Sequence, residues 1–143
     1  MDESILSKFP SILKEKLNNG DIVFPKETEY IYDNIMAYRA VKREKNDYSD
    51  PTLDDFKSYF ELGKIPKKAK GVNFSKDPHF YGVSFYENRK KVEQIMKFPN
   101  PHKKMMLGYI YCKGGPQHTT PENGHICWWL FQDVNISGFK ITK

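Results

Sequence analysis

The spacing of hydrophobic residues changes along the chain from a helical to an alternating pattern. Near the N-terminus apolar residues recur at helical spacing ahead of an Asn-Asn-Gly stop, which predicts a helix over residues 4–19. Pro10 fits this helix only if the regular part begins close to it, because proline cannot continue a preceding turn. Residues 35–42 (IMAYRAVK) alternate between two faces instead, which is typical of a β-strand.

Capping and turn residues divide the rest of the chain. Thr52 can cap a helix that should end near Gly63, and Asn88 can cap another in which Arg89 pairs with Glu93 one turn later. The C-terminal third has strands with apolar residues on both faces. The predicted elements are helices over 52–62 and 88–97, and strands over 35–42, 81–86, 105–112, 125–131 and 136–141.

These elements predict an α+β fold in one domain, residues 1–143. A helix and a connector occupy 1–27, and 28–143 form the core, a mostly antiparallel or mixed five-stranded sheet with two to three packing helices. Trp128 and Trp129 alternate sides of their strand, so at least one of them should be buried. The segment 113–124 is longer than usual hairpin loops, which indicates either disorder or a function.

The composition narrows the class of protein. Hydrophobic residues make up 38% and aromatic residues 15% of the 143 positions, which is enough for a core. No apolar run reaches the roughly 20 residues of a membrane span, and the acidic N-terminus lacks the apolar segment of a secretory signal. Cys112 and Cys127 form no Cys-x-x-Cys arrangement, so neither a metal site nor a disulfide scaffold is predicted. The sequence therefore favours a cytoplasmic protein with no membrane partner, and it leaves the oligomeric state open.

The net charge of +5 is concentrated in short basic clusters. Aromatic residues lie close to them in sequence, and aromatic side chains among basic ones can stack on single-stranded nucleic acid. The simpler interpretation is a solvated lysine-rich face with the aromatic side chains in the core. The candidate nucleic-acid residues are Lys64, Lys67, Lys68, Lys70, Arg89, Lys90 and Lys91.

Arg39 is the most informative single residue. It lies in line with apolar residues on its strand, so its guanidinium needs either a wet rim or a partner. One interpretation is an anion-binding arginine at a pocket, because the planar guanidinium suits phosphate or carboxylate. The other is a structural ion pair with an acid such as Asp33 or Asp55.

Three further residues are candidates for chemistry. Ser84 lies on a strand that leads into a helix, where its hydroxyl can hydrogen-bond a ligand amide or only its own backbone. The pair of glycines that a nucleophile elbow needs around the serine is absent, which argues against serine nucleophilic catalysis. His125 begins a strand and is either a core or rim residue or a general acid/base, since an imidazole titrates near neutral pH. Glu122 could reach over a pocket as a catalytic carboxylate, although a lone loop glutamate is usually solvated.

The order of these residues is similar to the layout of ADP-ribosyltransferase-like domains, including small bacterial toxin-type members. The resemblance is carried by Tyr38-Arg39-Ala40 on a first strand, Gly82-Val83-Ser84 on a strand that leads into a helix, and Glu122 in a loop before a late strand. It implies that Arg39 holds the phosphates of NAD, and that Ser84 shapes the nicotinamide pocket. It also implies that Glu122 is the catalytic acid.

Two functional hypotheses follow. The first is a small cytoplasmic protein with a nucleotide-type anion pocket, with NAD as the candidate cofactor and an ADP-ribosyltransferase-like or glycohydrolase activity of toxin or defence type. Its catalytic residues would be Glu122 and His125, its cofactor-binding residues Arg39, Ser84 and Tyr86, and its roof the segment 113–124. The second hypothesis is a non-enzymatic basic module that binds nucleic acid or an acidic protein partner.

Overall fold

The computed structural model describes residues 1–64, 74–97 and 100–142, which form one antiparallel sheet of six strands with helices packed on it. The strand order is β4-β5-β2-β1-β3-β6, so the predicted α+β class is confirmed with one strand more than expected. The strands are β1 (Ile35–Lys42), β2 (Val83–Tyr86), β3 (Lys103–Ile110), β4 (Gln117–Thr120), β5 (His125–Trp128) and β6 (Lys140–Ile141). The helices are α1 (Glu3–Leu6), α2 (Ser11–Asn18), α3 (Tyr59–Leu62) and α4 (Arg89–Met96), with 3-10 turns at Leu53–Phe56, Phe74–Lys76, Pro78–Tyr81 and Cys112–Gly114.

The two faces of the sheet have different neighbours. One face, here called the aromatic face, carries Phe85 and Trp128 and packs against Phe56 and Phe139 from outside the sheet. The opposite face, here called the cleft face, carries the side chains of Lys42, Ser84, Tyr86, Lys103 and His125.

Both tryptophans are fully buried, so the prediction that at least one is buried is confirmed. Trp128 belongs to the core of the aromatic face, and its indole N–H donates to the Gly115 carbonyl at 3.2 Å. Trp129 belongs to a second core with Phe9 and Phe24, and its indole N–H donates to the Pro78 carbonyl at 2.8 Å. Each of these two indole N–H groups therefore has a hydrogen-bond acceptor, as burial requires.

The predicted N-terminal helix is two helices. Helix α1 ends at Leu6 and α2 starts at Ser11, with Pro10 as the residue before its first turn. Phe9, which lies between the helices, is 1% exposed and packs edge-on against Phe24. A continuous helix over 4–19 is wrong because proline ends one helix and begins the next.

The predicted helix over 52–62 is also divided. The Thr52 N–H donates to the Asp55 carboxylate at 3.0 Å and starts a 3-10 turn, whereas Ser58 starts α3 anew. The Ser58 hydroxyl accepts from the Glu61 N–H at 3.2 Å, while the Ser58 N–H donates to the Glu61 carboxylate at 3.0 Å. This reciprocal cap fixes a second helix start. Gly63, with φ of 66°, ends α3 as predicted.

The segment 113–124 contains the strand that the sequence did not predict. Strand β4 pairs with β5 as a hairpin, and Gln117 and Glu29 exchange backbone hydrogen bonds at 2.8 and 3.0 Å. The side chain of Gln117 is fully buried and donates to the Glu29 carboxylate at 2.6 Å. Most of this segment is therefore ordered, so the alternative of a disordered loop is wrong, and a function for the segment stays a prediction.

The other strand boundaries differ by a few residues. Strand β3 begins two residues earlier than predicted, where Lys103 pairs with Lys42, and it ends two residues earlier, because a 3-10 turn follows at Cys112. The predicted strand over 136–141 is reduced to the two residues of β6. The backbone of Gly138 and the ring of Phe139 lie so close to Gly108 that a Cβ there would be 2.7 Å from each. The segment at Gly138 and Phe139 therefore lies over β3, and the chain then pairs with the same strand as β6.

Candidate anion-binding site

Strands β1 and β2 separate after one residue pair, and this separation creates the site. The β1–β3 ladder has eight residue pairs, whereas β1 and β2 pair only at Tyr38 and Tyr86. Arg39 spans the gap. Its Nη1 donates to the Ser84 carbonyl at 2.8 Å, in the place where a ladder hydrogen bond would otherwise form.

The guanidinium of Arg39 also holds the 3-10 turn that precedes α3. Its Nε donates to the Asp55 carbonyl at 3.0 Å and its Nη2 to the Lys57 carbonyl at 3.5 Å. Burial lowers the pKa of Arg39 from its usual value, although arginine stays charged. Arg39 therefore has a structural role through backbone carbonyls, and its predicted role in anion binding stays a prediction.

The alternative prediction was a structural ion pair between Arg39 and an acid such as Asp33 or Asp55. Within the described residues Arg39 forms no ion pair and binds backbone carbonyls instead, so this alternative is wrong. The carboxylate of Asp55 instead accepts two hydrogen bonds from Arg43, at 2.7 and 2.8 Å. Both side chains of this pair are close to 10% exposed. Arg43 thus neutralises the Asp55 carboxylate, while the backbone carbonyl of Asp55 accepts a hydrogen bond from Arg39.

A cleft of about 640 Å³ lies on the cleft face beside this gap. Its lining includes four of the five residues that the sequence analysis placed in a common pocket: Arg39, Ser84, Tyr86 and His125. Its walls carry apolar side chains of α3 and α4, among them Tyr59, Leu62, Val92 and Ile95. The structure therefore brings these predicted site residues together, and their individual roles remain predictions.

Ser84 and His125 are in contact on the floor of the cleft. The Ser84 Oγ and the His125 Nε2 are 3.1 Å apart, and the imidazole lies edge-on to the Tyr86 ring at 5.2 Å. Burial, with a smaller effect of His79 and His118, lowers the pKa of His125 to about 4. The ring is therefore neutral at pH 7, with one nitrogen available as an acceptor.

Lysines supply the charge of the cleft. Lys42 and Lys103 are cross-strand neighbours on the cleft face, and Lys64 lines the same space. The pKa of Lys64 is lowered, chiefly because the positive charge of Lys42 is near. Within the described residues no carboxylate forms an ion pair with any of these three lysines.

Among the described residues, the two carboxylates that line the cleft are already paired. Asp54 binds Lys57 at 3.0 Å, and Asp55 binds Arg43. Like charges that face each other across a ladder destabilise the sheet. The cleft therefore holds uncompensated positive charge that an anion would neutralise.

Glu122 lies elsewhere. It is exposed in the turn between β4 and β5, where the Gly124 N–H donates to the Thr120 carbonyl at 2.9 Å. Neither Glu122 nor any other residue of 113–124 lines the cleft. The predicted roof is wrong: α3 and α4 flank the cleft instead. A catalytic role for Glu122 stays a prediction without support from the cleft geometry.

The predicted nucleic-acid residues fall into three groups. Lys67, Lys68 and Lys70 lie outside the described residues. Lys64 lines the cleft, as described above. Arg89, Lys90 and Lys91 are exposed in the first turn of α4, where Arg89 forms the predicted pair with Glu93 at 3.3 Å. Nucleic-acid binding by these residues stays a prediction.

The sequence analysis missed Lys42 and Lys103 as site residues. Lys42 ends the predicted strand over 35–42, whereas Lys103 lies before the predicted strand over 105–112, so only Lys42 had a signal in the alternating pattern. Their meeting depends on a pairing between segments sixty residues apart, which no local pattern encodes. The four-residue α3 and its wall side chains were likewise not assigned to a site.

The described residues contain no group of three His, Cys, Asp or Glu side chains placed to hold a metal ion. No helix among them has the length and apolar character to cross a membrane. Comparison with protein-family models, with curated proteins and with solved structures gives no match for this chain.

Proposed function

We propose that the protein binds a phosphate-bearing anion of the nucleotide class in the cleft. The observation that carries this proposal is the group of three lysines, Lys42, Lys64 and Lys103, that face one cleft without an ion-pair partner among the described residues. Keeping like charges together costs stability in the empty protein. A bound phosphate removes that cost.

The remaining walls suit the rest of a nucleotide. Tyr59 and Tyr86 offer aromatic rings, while Val92 and Ile95 offer an apolar surface. Small-molecule sites typically have volumes of about 300–1,000 Å³ and combine apolar walls with a few convergent polar groups. The cleft of about 640 Å³ fits this description.

NAD is the first nucleotide to test, because the resemblance to ADP-ribosyltransferase-like domains names it. Transferase or glycohydrolase chemistry of toxin or defence type is the enzymatic activity that this resemblance implies. Cytoplasmic localisation is part of the proposal, and it is supported by the free thiols of Cys112 and Cys127, which suit a reducing compartment.

The test is thermal stabilisation by NAD, ADP, AMP and inorganic phosphate. A ligand that binds only the folded state adds about 2.7 kcal/mol at roughly 100 times its Kd. We expect the double variant Lys42→Gln/Lys103→Gln to lose this stabilisation. A matched variant, Lys14→Gln/Lys26→Gln, removes two exposed charges outside the cleft and should keep it.

Two results would contradict the proposal. One is that none of these ligands stabilises the native protein, and the other is that a ligand stabilises both double variants equally. A short oligonucleotide serves as the comparison ligand. If the oligonucleotide alone stabilises the protein, and its affinity falls steeply with salt, the basic-module hypothesis is favoured, because each neutralised phosphate releases counterions.

A further inference from the structure

We propose that Ser84 is a nucleophile and His125 its general base in the hydrolysis of a phosphodiester bound in the cleft. The proposal rests on the proposed function, because the cleft lysines must hold the phosphate. It adds a reaction class and two catalytic residues to that function. The starting observation is the separation of 3.1 Å between the Ser84 Oγ and the His125 Nε2 on the cleft floor.

The pairing of β2 with β5 fixes this contact. Tyr86 pairs with His125, and Ser84 pairs with Cys127 two residues along β5, so the serine and the histidine are diagonal neighbours on one face. The Tyr86 ring packs edge-on against the imidazole and limits its rotation. Two adjacent strands therefore position the nucleophile and base, which explains why the absence of a nucleophile elbow in the sequence is not decisive.

The imidazole of His125 is neutral at pH 7, so it can accept a proton in its resting form. The lowered pKa makes it a weaker base than a free imidazole, and the assignment rests on its contact with the Ser84 hydroxyl. The serine hydroxyl donates to Nε2 when the ring proton is on Nδ1. Within the described residues no carboxylate forms an ion pair with this imidazole.

The charges of the cleft favour a phosphate substrate over a neutral ester. Lys42, Lys64 and Lys103 can neutralise the non-bridging oxygens, whose charge must be stabilised as the nucleophile approaches phosphorus. Arg39 donates to the carbonyl of Ser84 and fixes the backbone of the nucleophile. Arg39 is thus a positioning residue in this reaction.

The reaction takes place in two balanced steps. The Ser84 Oγ attacks phosphorus as its proton passes to the His125 Nε2, and the bond from phosphorus to the leaving oxygen breaks while His125 returns the proton to that oxygen. One alcohol leaves, and a phosphoserine diester remains. Water then gives a proton to His125 and attacks phosphorus, and Ser84 leaves with that proton. The sum is diester plus water to monoester plus alcohol, with no change of oxidation state.

The first experiment is labelling with a fluorophosphonate, in which the activated serine displaces fluoride at phosphorus. We expect one label, located on Ser84 by mass spectrometry and absent from Ser84→Ala. His125→Gln should slow labelling at least 100-fold, because general-base catalysis typically contributes about 10²–10⁴-fold. Ser137→Ala, an exposed serine outside the cleft, is the matched control and should label at the native rate.

Labelling elsewhere than Ser84, no labelling, or labelling of Ser84 that is unchanged in His125→Gln would overturn the proposal. If His125→Gln does not fold, His125→Asn takes its place, with folding checked by circular dichroism. Phosphate-dependent stabilisation of Ser84→Ala separates the two ideas. If phosphate stabilises Ser84→Ala but the native protein is never labelled, the Ser84–His125 dyad is contradicted and the proposed function is not.

The second experiment tests the substrate class with bis(p-nitrophenyl) phosphate and p-nitrophenyl acetate. We expect hydrolysis of the diester that Ser84→Ala abolishes and Lys42→Gln/Lys103→Gln reduces at least tenfold. Hydrolysis of the acetate alone would overturn the assignment to phosphodiesters. Label on Ser84 in a protein that no phosphate ligand stabilises would overturn both that assignment and the proposed function.

Discussion

The two faces of the sheet are made by alternate residues of the same strands, yet one is closed and the other is open. On the aromatic face the rings of Phe56, Phe85, Trp128 and Phe139 lie 5.0–6.5 Å apart, and most are almost completely buried. On the cleft face the floor carries a serine, a histidine and lysines that no side chain of the segment 113–124 covers. Neighbouring residues of one strand point to opposite faces, so a position that stabilises the fold can lie next to a candidate functional position.

The comparison predicts that the aromatic face carries most of the stability. Trp128→Ala should lower the free energy of unfolding by about 3–5 kcal/mol, because it removes a large buried side chain and leaves a cavity. Ser84→Ala on the neighbouring strand should cost less than about 1 kcal/mol. Urea unfolding measures both, and similar losses for the two variants would contradict the division between the faces.

Arg39 lies where the two faces meet and should have the next largest effect. Arg39→Ala should cost about 2–4 kcal/mol, because three backbone carbonyls lose their donor. Arg39→Lys keeps the charge but can reach fewer of the carbonyls, so it should restore only part of the loss. The exposed Arg89→Ala is the control and should change stability by less than about 0.5 kcal/mol.

The outcome also separates the two roles of Arg39. A stable Arg39→Ala variant that has lost phosphate binding would show that the guanidinium acts mainly on the ligand. An unstable variant whose folded fraction still binds phosphate would show that it acts on the fold. The hydrogen bonds to Ser84, Asp55 and Lys57 favour the second result.

Local patterns were sufficient where a residue's neighbours in sequence decide its structure. The alternation over 35–42 gives the bounds of β1, and Asn88 caps α4 through a hydrogen bond of 2.8 Å to the Lys90 N–H. Strand β4 has no apolar alternation, and Gln117 is held by Glu29, 88 residues away in sequence. A strand that depends on so distant a partner cannot be predicted from its own residues.

The site shows the same division. The sequence indicated which residue types could act, and the cleft contains Arg39, Ser84, Tyr86 and His125. It could not indicate that β1 and β2 separate, and this separation decides that the guanidinium of Arg39 binds carbonyls rather than a carboxylate. The sequence analysis placed Glu122 in a loop that could reach over a pocket, but the hairpin turn leaves it exposed and outside the cleft.

Acid should lower the free energy of unfolding, because His125 on the cleft face is held neutral in the folded protein. The pKa of this residue is lowered by burial, to about 4 in the folded protein against 6.5 for a free histidine. Below pH 6.5 the unfolded chain takes up a proton that the folded protein does not, so stability falls as the pH drops towards 4 and then stops falling from this source. The loss over this window should be about 2–3 kcal/mol.

Urea unfolding at intervals between pH 7 and pH 4 measures this effect. His125→Gln should remove most of the slope, because the variant has no proton to take up at this position. His102→Gln, which changes an exposed histidine outside the contact with Ser84, is the control and should keep the slope. A native protein whose stability is flat between pH 6.5 and pH 4 would contradict the buried, neutral state of His125.

The smallest expected effect concerns the lysines, and its sign is opposite to the others. Lys103→Gln removes one of two like charges that face each other across β1 and β3, so the empty protein should gain roughly 0.3 kcal/mol. The gain should vanish near 1 M salt, where the Debye length is about 3 Å. With saturating phosphate the order should reverse, because the native protein then gains more from the ligand than the variant does. Lys14→Gln, which removes an exposed charge from α2, should change neither value. A loss of stability in the ligand-free Lys103→Gln variant would show that the lysines are not in conflict, and the argument from uncompensated charge to a bound anion would fail.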